Sequence, residues 1–511
     1  MAERAPVEVT VERDGRELVA GTLWVHERGG QTASFRYAGS YLTSRDGYAL
    51  DPALPKAAGV FHTPPGAAMF SAFADSAPDR WGENLMRREE RERARAANAT
   101  PRTLSKADFL LGVRDDTRQG AIRFRQPPDG TYYSGHRNAV PRLIEVARLM
   151  RAAQRLEAEG VFDRDIADLI DAGSSLGGAR PKAAITDASG RLAIAKFPRS
   201  ASDEWDAPAW EEVQLRLARR AGLTVTESEL LPIAGRHVLL VERFDRQDGR
   251  RIGFASALTM LEARDVEQRS YLEIGEVIER YSPRAAGDLR ELYRRIIFSI
   301  LTGNTDDHLR NHAFLRERGG WRLSPAYDLN PNPDNPSRLS TAIDIDDTAA
   351  SIENAIAVSG YFRLSAAEAR IIAGDVERAT SRWRDEAAGL GLPKQQIDRM
   401  ADAYETGERR TARALSLLRV TRQLLRRIAT EGLCAGSGAT GVITMLLSAC
   451  LGSRLCSWSR ARRARSHWFR PVCLRGHRPA RLTAHGHLLT HPHIRMTQRS
   501  VCCNGHRRGA R

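Results

Sequence analysis

Cysteine is missing from the first 433 residues of this 511-residue chain. A segment of that length without thiols contains no structural disulfide, and such a composition is typical of a reducing cytoplasm. We therefore expect a cytoplasmic protein. The six cysteines of the chain all lie within residues 434–511, and they are Cys434, Cys450, Cys456, Cys473, Cys502 and Cys503.

Long apolar runs are missing as well. The longest apolar stretch near the C-terminus, about residues 438–451, is shorter than the roughly 20 residues that a helix needs to cross a bilayer. The first ten residues are polar and do not contain the apolar core of a secretory signal peptide. We therefore expect a soluble body, and the length allows two to four domains with a substantial core.

Acidic residues and lysine are missing from residues 434–511, which contain 14 arginines. The whole chain has 78 Lys+Arg and 63 Asp+Glu, so residues 1–433 have 64 basic and 63 acidic side chains, a net charge of +1. This body gives no electrostatic reason to expect nucleic-acid binding. The basic tail could be a nucleic-acid arm or a metal site, but it lacks paired zinc-finger spacing. We predict that it is disordered, because its composition changes so abruptly.

Strand patterns and helix patterns alternate along the body. Short alternating runs between residues 7 and 60 predict a small N-terminal sheet. Three more strands are predicted at residues 182–185, 192–197 and 236–244, with a helix at residues 209–221 between the last two. The remaining patterns are helical, and they occupy residues 80–98, 135–172 and about 260–425.

Three polar residues near the start of the last region have an informative spacing. Asn311 follows Asp306 by five positions, and Asp328 follows it by 22. Protein kinases use this spacing for the aspartate that orients the attacking hydroxyl and for two ligands of magnesium. An apolar helix ending near residue 301 would give the segment rigid support. We interpret His308 as a structural hydrogen-bonding residue, with catalytic base as the alternative.

Upstream segments could complete such a site. Residues 174–182 (SSLGGARPK) contain small residues that would let backbone amides approach phosphates, and Lys182 adds a charge, although a Gly-Gly pair is usually just a turn. Lys196 lies in an apolar strand, where it needs phosphate or a carboxylate such as Glu211, unless it reaches solvent at a strand edge. Residues 238–246 are either a nucleotide-binding hinge or an ordinary strand end with surface ion pairs.

In this order, the motifs resemble those of the HipA family, the kinase-like toxins of bacterial toxin–antitoxin modules. Residues 75–82 (DSAPDRWG) are similar to an N-terminal signature of the family, and the resemblance covers most of residues 10–430. Five more motifs follow: SLGGARPK at 175–182, AKFP at 195–198, VERFDR at 241–246, TDDHLRN at 305–311 and AYDL at 326–329.

The resemblance implies a serine/threonine kinase that uses ATP and magnesium. It implies that Asp306 is the catalytic aspartate and that Asn311 and Asp328 bind magnesium. It also implies that phosphorylation of Ser175 switches the kinase off. The ATP-binding residues that it implies are Gly177, Gly178, Ala179, Arg180, Pro181, Lys182, Lys196, Glu242, Arg243, Phe244, His308, Arg310, Asn311, Tyr327 and Asp328.

The resemblance implies an α+β, two-lobed, protein-kinase-like fold. We expect a β-rich N-terminal subdomain in residues 1–110, a small lobe in 111–259, a mainly helical large lobe in 260–433 and the basic tail in 434–511. Two features depart from the family pattern. The tail has no counterpart, and Asp307 places a second carboxylate beside Asp306, which could shift the pKa of Asp306 or alter substrate preference.

The expected function is that of the toxin in a toxin–antitoxin pair. The implied partners are a helix-turn-helix antitoxin similar to HipB, operator DNA bound mainly through that antitoxin, and a protein substrate such as an aminoacyl-tRNA synthetase. Two alternatives remain open at this point. The protein could be a non-catalytic co-repressor that joins an antitoxin on DNA, or a kinase for a small molecule.

Overall fold

The computed structural model describes residues 4–27, 30–128, 130–134, 139–158, 164–173, 180–199, 203–265, 267–334 and 336–415. The basic tail and six residues of the glycine-containing segment (174–179) lie outside these ranges, and these six include the predicted site residues Ser175, Gly177, Gly178 and Ala179. No helix within the described ranges is both long enough and apolar enough to cross a membrane.

The strands and helices are numbered here in chain order. The strands are β1 (Val7–Arg13), β2 (Arg16–His26), β3 (Thr32–Tyr37), β4 (Phe61–His62), β5 (Ile122–Gln126), β6 (Thr131–Tyr132), β7 (Lys182–Thr186), β8 (Leu192–Lys196), β9 (Ser228–Ile233), β10 (Arg236–Glu242), β11 (Arg246–Gln247), β12 (Arg250–Arg251), β13 (Phe254–Ser256), β14 (Ala313–Glu317) and β15 (Gly320–Leu323). The α-helices are α1 (Gly39–Thr43), α2 (Ser71–Ala74), α3 (Arg80–Ala96), α4 (Lys106–Gly112), α5 (Val146–Ala158), α6 (Arg164–Gly173), α7 (Ala207–Arg220), α8 (Ala257–Met260), α9 (Tyr271–Tyr281), α10 (Ala285–Thr302), α11 (Ile352–Ala357), α12 (Ala366–Thr380), α13 (Trp383–Gly389), α14 (Lys394–Arg399) and α15 (Ala401–Tyr404).

The N-terminal sheet is antiparallel and has the strand order β4-β3-β2-β1-β5-β6. Its inner face is formed by alternating residues, such as Val7, Val9 and Val11 of β1, which are buried. Strand β5 pairs with β1, with Phe124 opposite Val9. The domain boundary expected at residue 110 therefore divides this sheet, because β5 and β6 follow that residue but belong to the same sheet as β1 to β4.

The second sheet has the order β7-β8-β10-β9, and its neighbouring strands are antiparallel. Lys196 in β8 lies opposite Lys182 in β7 and opposite Leu239 in β10. Helix α7 begins two residues earlier than expected, because Asp206 caps it by accepting a hydrogen bond from the backbone of Ala209 at 3.1 Å. The sequence pattern missed β9, an edge strand that tolerates Pro232.

The C-terminal half is mainly helical around the buried helix α10. This helix ends at Gly303, whose φ of +62° and close approach to Ala403 exclude a side chain. Strands β13, β14 and β15 form a further sheet inside this half. The domain boundary expected at residue 259 separates β13 from β14 and β15, although the three strands form one sheet. Within the helical pattern of residues 135–172, the structure contains the two helices α5 and α6.

Candidate active site

Lys196 connects the two halves of the body through a pair of carboxylates. Its Nζ atom lies 2.6 Å from Glu211 Oε1 in α7 and 2.8 Å from Asp328 Oδ1 after β15. The side chains of Lys196 and Glu211 are only 16% and 6% exposed. Burial opposes the charged form of Lys196, but the two carboxylates outweigh it and raise its pKa. The alternative of a strand-edge lysine reaching solvent is therefore wrong.

Asp328 is the more accessible of the two carboxylates, with its side chain 39% exposed. The Lys196 ammonium holds the pKa of Asp328 well below its usual range. The backbone of Asp328 is in the left-handed region with φ of +57°, which costs free energy for a residue other than glycine. The neighbouring Tyr327 hydroxyl donates to the backbone oxygen of Arg310 at 2.6 Å and so connects this segment with the Asp306 segment.

Asp306 and Asn311 lie on the short segment after α10. The amide nitrogen of Asn311 donates to the backbone oxygen of Asp306 at 2.9 Å, so the amide oxygen of Asn311 is left as an acceptor. The Asp306 side chain is exposed. Partial burial and the negative charges of Asp328 and Asp307 raise the pKa of Asp306, whereas the nearby His308 acts to lower it. The upward shift of its pKa makes this carboxylate a better proton acceptor than an ordinary aspartate.

Asn304 fixes this segment against the one that contains Asp328. Its amide nitrogen donates to Ser299 Oγ at 3.1 Å, and its amide oxygen accepts from the backbone of Asn330 at 3.0 Å. The His308 side chain is exposed, and its ring makes no hydrogen bond within the ranges that the structure describes. The structural hydrogen-bonding role expected for His308 stays a prediction, and His308 is one of the residues that line both the cleft and the groove.

Asp307 belongs to the core. It is buried, accepts a 2.6 Å hydrogen bond from the Tyr271 hydroxyl, and lies 3.1 Å from Nε2 of His312. Burial raises the pKa of Asp307, but His312 and Tyr271 outweigh it, and the net shift is downward. Its charge adds to the raised pKa of Asp306, as the sequence suggested. A buried side chain does not contact a substrate, so an influence of Asp307 on substrate preference would have to be indirect.

One cleft contains Lys182, Lys196, Asn311, Asp328 and the residues expected to form the hinge. Asp306 does not line this cleft and instead lines the adjoining groove, while His308 and Arg310 line both. The cleft thus contains the charged groups expected around a nucleotide, and the groove contains the expected catalytic carboxylate. The cleft is lined by Ala74, Asp75, Ala77, Asp79, Gln119, Lys182, Ile194, Lys196, Val241, Glu242, Arg243, Phe244, Asp245, Phe254, Ser256, His308, Arg310, Asn311, Tyr327 and Asp328.

Residues 174–383 match the family model of the HipA-like C-terminal domain. This segment, called the HipA-like domain below, is similar to that family. A solved structure supports the fold: HipA of Shewanella oneidensis MR-1, in complex with HipB and operator DNA, has a TM-score of 0.53 with 16% identity and covers 80% of this chain and 96% of that one. The resemblance to HipA and the two-lobed fold that it implies are confirmed.

Curated relatives match a shorter part of the chain. "Putative kinase Y4mE" of Sinorhizobium fredii is 32% identical over 147 residues, which are 27% of this chain and 33% of that protein. A "Putative kinase" of Haemophilus influenzae is 27% identical over 143 residues, which are 24% of this chain and 42% of that protein. The chain therefore spans about a third to two fifths of the length of these relatives.

In the HipA-like domain, Lys182 and Arg180 have different surroundings. Lys182 is buried in the cleft, and burial together with the charge of Lys196 lowers its pKa to about 8. Arg180 points its guanidinium to Asp203, with one nitrogen 3.0 Å from both carboxylate oxygens, and it does not line the cleft. Pro181 does not line the cleft either. Among these three residues, Lys182 is the one that lines the cleft.

The residues predicted to form the hinge of the HipA-like domain make more hydrogen bonds within the protein than the sequence suggested. The guanidinium of Arg243 is buried against Asp245, with N···O distances of 2.7 and 2.6 Å, and the Glu242 carboxylate accepts from Arg191 at 2.8 Å. The backbone N–H groups of Glu242 and Arg243 donate to other backbone oxygens. Phe244 is the hinge residue whose backbone N–H has no partner in the described part of the chain.

Five residues that line the cleft precede the HipA-like domain and were not predicted as site residues: Ala74, Asp75, Ala77, Asp79 and Gln119. The first four surround the start of the DSAPDRWG motif, which the sequence showed without a role. In the same motif, the indole N–H of Trp81 donates to the backbone oxygen of Lys182 at 3.1 Å. The motif therefore supports the cleft directly, whereas no sequence signal marks Gln119.

We expect the variant Asp307→Asn to lower the free energy of unfolding by about 2–4 kcal/mol, because a buried carboxylate loses its charge beside His312 and Tyr271. Urea unfolding would measure the change. The exposed Asp346→Asn is the matched control and should change stability by less than about 0.5 kcal/mol.

Because the pKa of Asp307 is lowered on folding, its stabilisation exists above the unfolded pKa and is lost as the pH falls through the folded pKa. A difference from the parent that does not shrink in acid would contradict this role.

Proposed function

We propose that this protein is an ATP- and magnesium-dependent serine/threonine protein kinase that acts as the toxin of a toxin–antitoxin module. The observation that supports the proposal best is the Lys196 ammonium held between Glu211 and Asp328, beside Asn311 in one cleft. Kinases use a strand lysine, a helix glutamate and a metal-binding aspartate in this way. The relatives named as kinases support the same reaction class.

The residues of the cleft fit a nucleoside triphosphate. Apolar side chains line one part of it, with Ile194, Val241 and Phe254 suited to the faces of a purine ring. Lys182 and Lys196 supply positive charge for phosphates. A lysine with a pKa of about 8 becomes more fully protonated when phosphate oxygens approach, which strengthens the contact.

The oxygen atoms of Asn311 and Asp328 fit magnesium, which prefers hard oxygen ligands. Within the described residues, no group of three or more His, Cys, Asp and Glu side chains could hold a metal by itself. Magnesium often takes only one or two carboxylates from a protein and completes its coordination with phosphates and water. When bound, it would neutralise charge on the phosphates, and we expect it to bind together with the nucleotide.

Asp306 would act on the hydroxyl group that accepts the phosphate. Its carboxylate would orient the serine or threonine hydroxyl and take its proton as the new O–P bond forms and the bond to the departing ADP oxygen breaks. Because the pKa of Asp306 is raised, transfer should decline as the pH falls through that pKa and Asp306 becomes protonated. The exposed position of Asp306 in its groove leaves room for a protein acceptor.

The partners are part of the same proposal. The Shewanella HipA structure contains HipB and operator DNA, and we propose an antitoxin of that kind here, with DNA bound mainly through it. An aminoacyl-tRNA synthetase is the proposed protein substrate. A co-repressor without activity would bind the antitoxin but transfer no phosphate, and a small-molecule kinase would phosphorylate a metabolite.

The test is incubation of the full chain with ATP and magnesium, followed by intact mass measurement and phosphopeptide mapping. We expect one phosphate on Ser175, because the resemblance places the autophosphorylation site there. Ser175→Ala should remove that phosphate, and Ser174→Ala, its neighbour, is the matched control. Continued labelling of the same peptide in Ser175→Ala would assign the site to Ser174. ATP binding without any transfer to the chain or to a synthetase would favour the co-repressor.

A further inference from the structure

Gln119 places an unused amide in the cleft. It lines the cleft beside residues Glu242 to Asp245 and is half-buried. Its side chain makes no hydrogen bond within the part of the chain that the structure describes. Val241, Phe244 and Phe254 contribute apolar surface to the same lining. A side-chain amide offers two donors and one acceptor oxygen, so it is well suited to a polar ligand in this place.

The backbone on both sides of Gln119 is held rigidly. The fully buried Arg118 guanidinium donates to the backbone oxygens of Ser76, Leu110 and Val113 at 3.1, 2.8 and 2.8 Å. Gly120, at φ of +75°, donates its N–H to Asp245 Oδ2 at 2.7 Å. Asp245 directly follows the hinge residue Phe244. The position of Gln119 is therefore fixed relative to the hinge, as specific recognition requires.

Part of the backbone of the predicted hinge is already hydrogen-bonded within the protein. The N–H groups of Glu242 and Arg243 donate to the backbone oxygens of Glu227 and Leu192, and the Glu242 oxygen accepts from the Thr226 hydroxyl at 2.8 Å. The N–H of Phe244 remains as a donor. Adenine presents a ring nitrogen that accepts and an exocyclic amine that donates. The Glu242 oxygen already accepts from Thr226, and the amide oxygen of Gln119 offers a further acceptor that would match this edge.

We propose that the side-chain amide of Gln119 hydrogen-bonds the exocyclic amine of the purine and so selects adenine nucleotides. The inference rests on the proposed function, because it concerns the nucleotide of the same cleft. Guanine has a carbonyl at the corresponding position and a protonated ring nitrogen, which would face the Phe244 N–H donor to donor. Recognition of the base would then depend on a residue that lies outside the HipA-like domain of residues 174–383.

The test is a cycle of two proteins and two nucleotides, measured by calorimetry on the full chain with magnesium. The nucleotides are ATP and purine riboside triphosphate, which lacks the exocyclic amine. The parent should bind ATP about 3- to 10-fold more tightly than the analogue, as expected for one net hydrogen bond. Gln119→Leu should weaken ATP binding by the same factor and bind both nucleotides equally. Gln247→Leu, the same change at an exposed position outside the cleft, should behave like the parent.

The outcomes separate this inference from the proposed function. If the parent binds ATP and Gln119→Leu keeps the parent's preference for ATP over the analogue, the inference is overturned while the proposed function stands. If the parent binds neither nucleotide, the proposed function fails and the inference with it. Thermal unfolding checks the fold of each variant, and Gln119→Met repeats the cycle with an unbranched side chain if the leucine variant melts below the parent.

Discussion

Replacing Asp306 by asparagine should reduce phosphate transfer by about 10²- to 10⁴-fold, the usual contribution of a positioned general base. Asparagine has nearly the same shape as aspartate but cannot accept the proton of the acceptor hydroxyl. Because Asp306 does not line the cleft, the dissociation constant for ATP should change by no more than a few-fold. Transfer of radiolabelled phosphate from ATP, with calorimetry for binding, would measure both effects.

The control for this variant is Asp346→Asn, which makes the same change at an exposed aspartate that lines neither the cleft nor the groove. It should retain the parent's rate. Full activity in Asp306→Asn would remove the assignment of the base. A matched loss of transfer and of ATP affinity would mean that Asp306 acts on the nucleotide rather than on the acceptor.

Replacing Asp328 by asparagine should reduce transfer at least about 10²-fold, because metal stabilisation of developing charge contributes several kcal/mol. Asparagine is the informative choice here. Asp328 has a positive φ, which asparagine tolerates better than other non-glycine residues. Lys196 keeps its 2.6 Å contact with Glu211, so the buried ammonium is not left without a carboxylate. The fold should therefore survive the change.

The dependence on magnesium gives this prediction its sharpest test. With magnesium, the parent should bind ATP more tightly than Asp328→Asn. In EDTA the order should reverse or vanish, because the variant no longer places a carboxylate beside the phosphates. Equal weakening under both conditions would show that Asp328 does not hold the metal. Asp328→Ala should fold with about 1 kcal/mol less stability than Asp328→Asn, owing to the left-handed backbone.

The predictions from sequence were most successful where function is encoded locally. Asn311 and Asp328 lie on two short segments with fixed spacing, so their position near one site could be predicted from spacing and order, whereas Asp306 lines the adjoining groove. The contact of Lys196 with Glu211 follows from the cost of burying an ammonium in an apolar strand, whereas its contact with Asp328 was not predicted. These residue roles stay predictions, but the structure brings Lys196, Asn311 and Asp328 into one cleft.

Long-range packing explains what the sequence could not show. Gln119 is brought to the cleft because β5 returns to β1 and because Arg118 is anchored by three backbone carbonyls, of which that of Ser76 is distant in sequence. Arg243 sits in a charged turn that suggests surface exposure, yet it is buried because Asp245, two residues later, neutralises it. Asp307 resembles a second site carboxylate in sequence, and only the positions of Tyr271 and His312 show that it faces the core.

The bond between the Gly120 backbone and Asp245 bears on how such proteins can evolve. Arg251 adds hydrogen bonds to the backbone oxygens of Arg118, Gly120 and Asp115, so one face of the HipA-like domain is complementary to a single upstream segment. Recombination that joined residues 174–383 to an unrelated N-terminal sequence would leave Asp245 and Arg251 without these partners and would remove one wall of the cleft. The domain therefore depends on its N-terminal partner segment, and we expect the two to be inherited together.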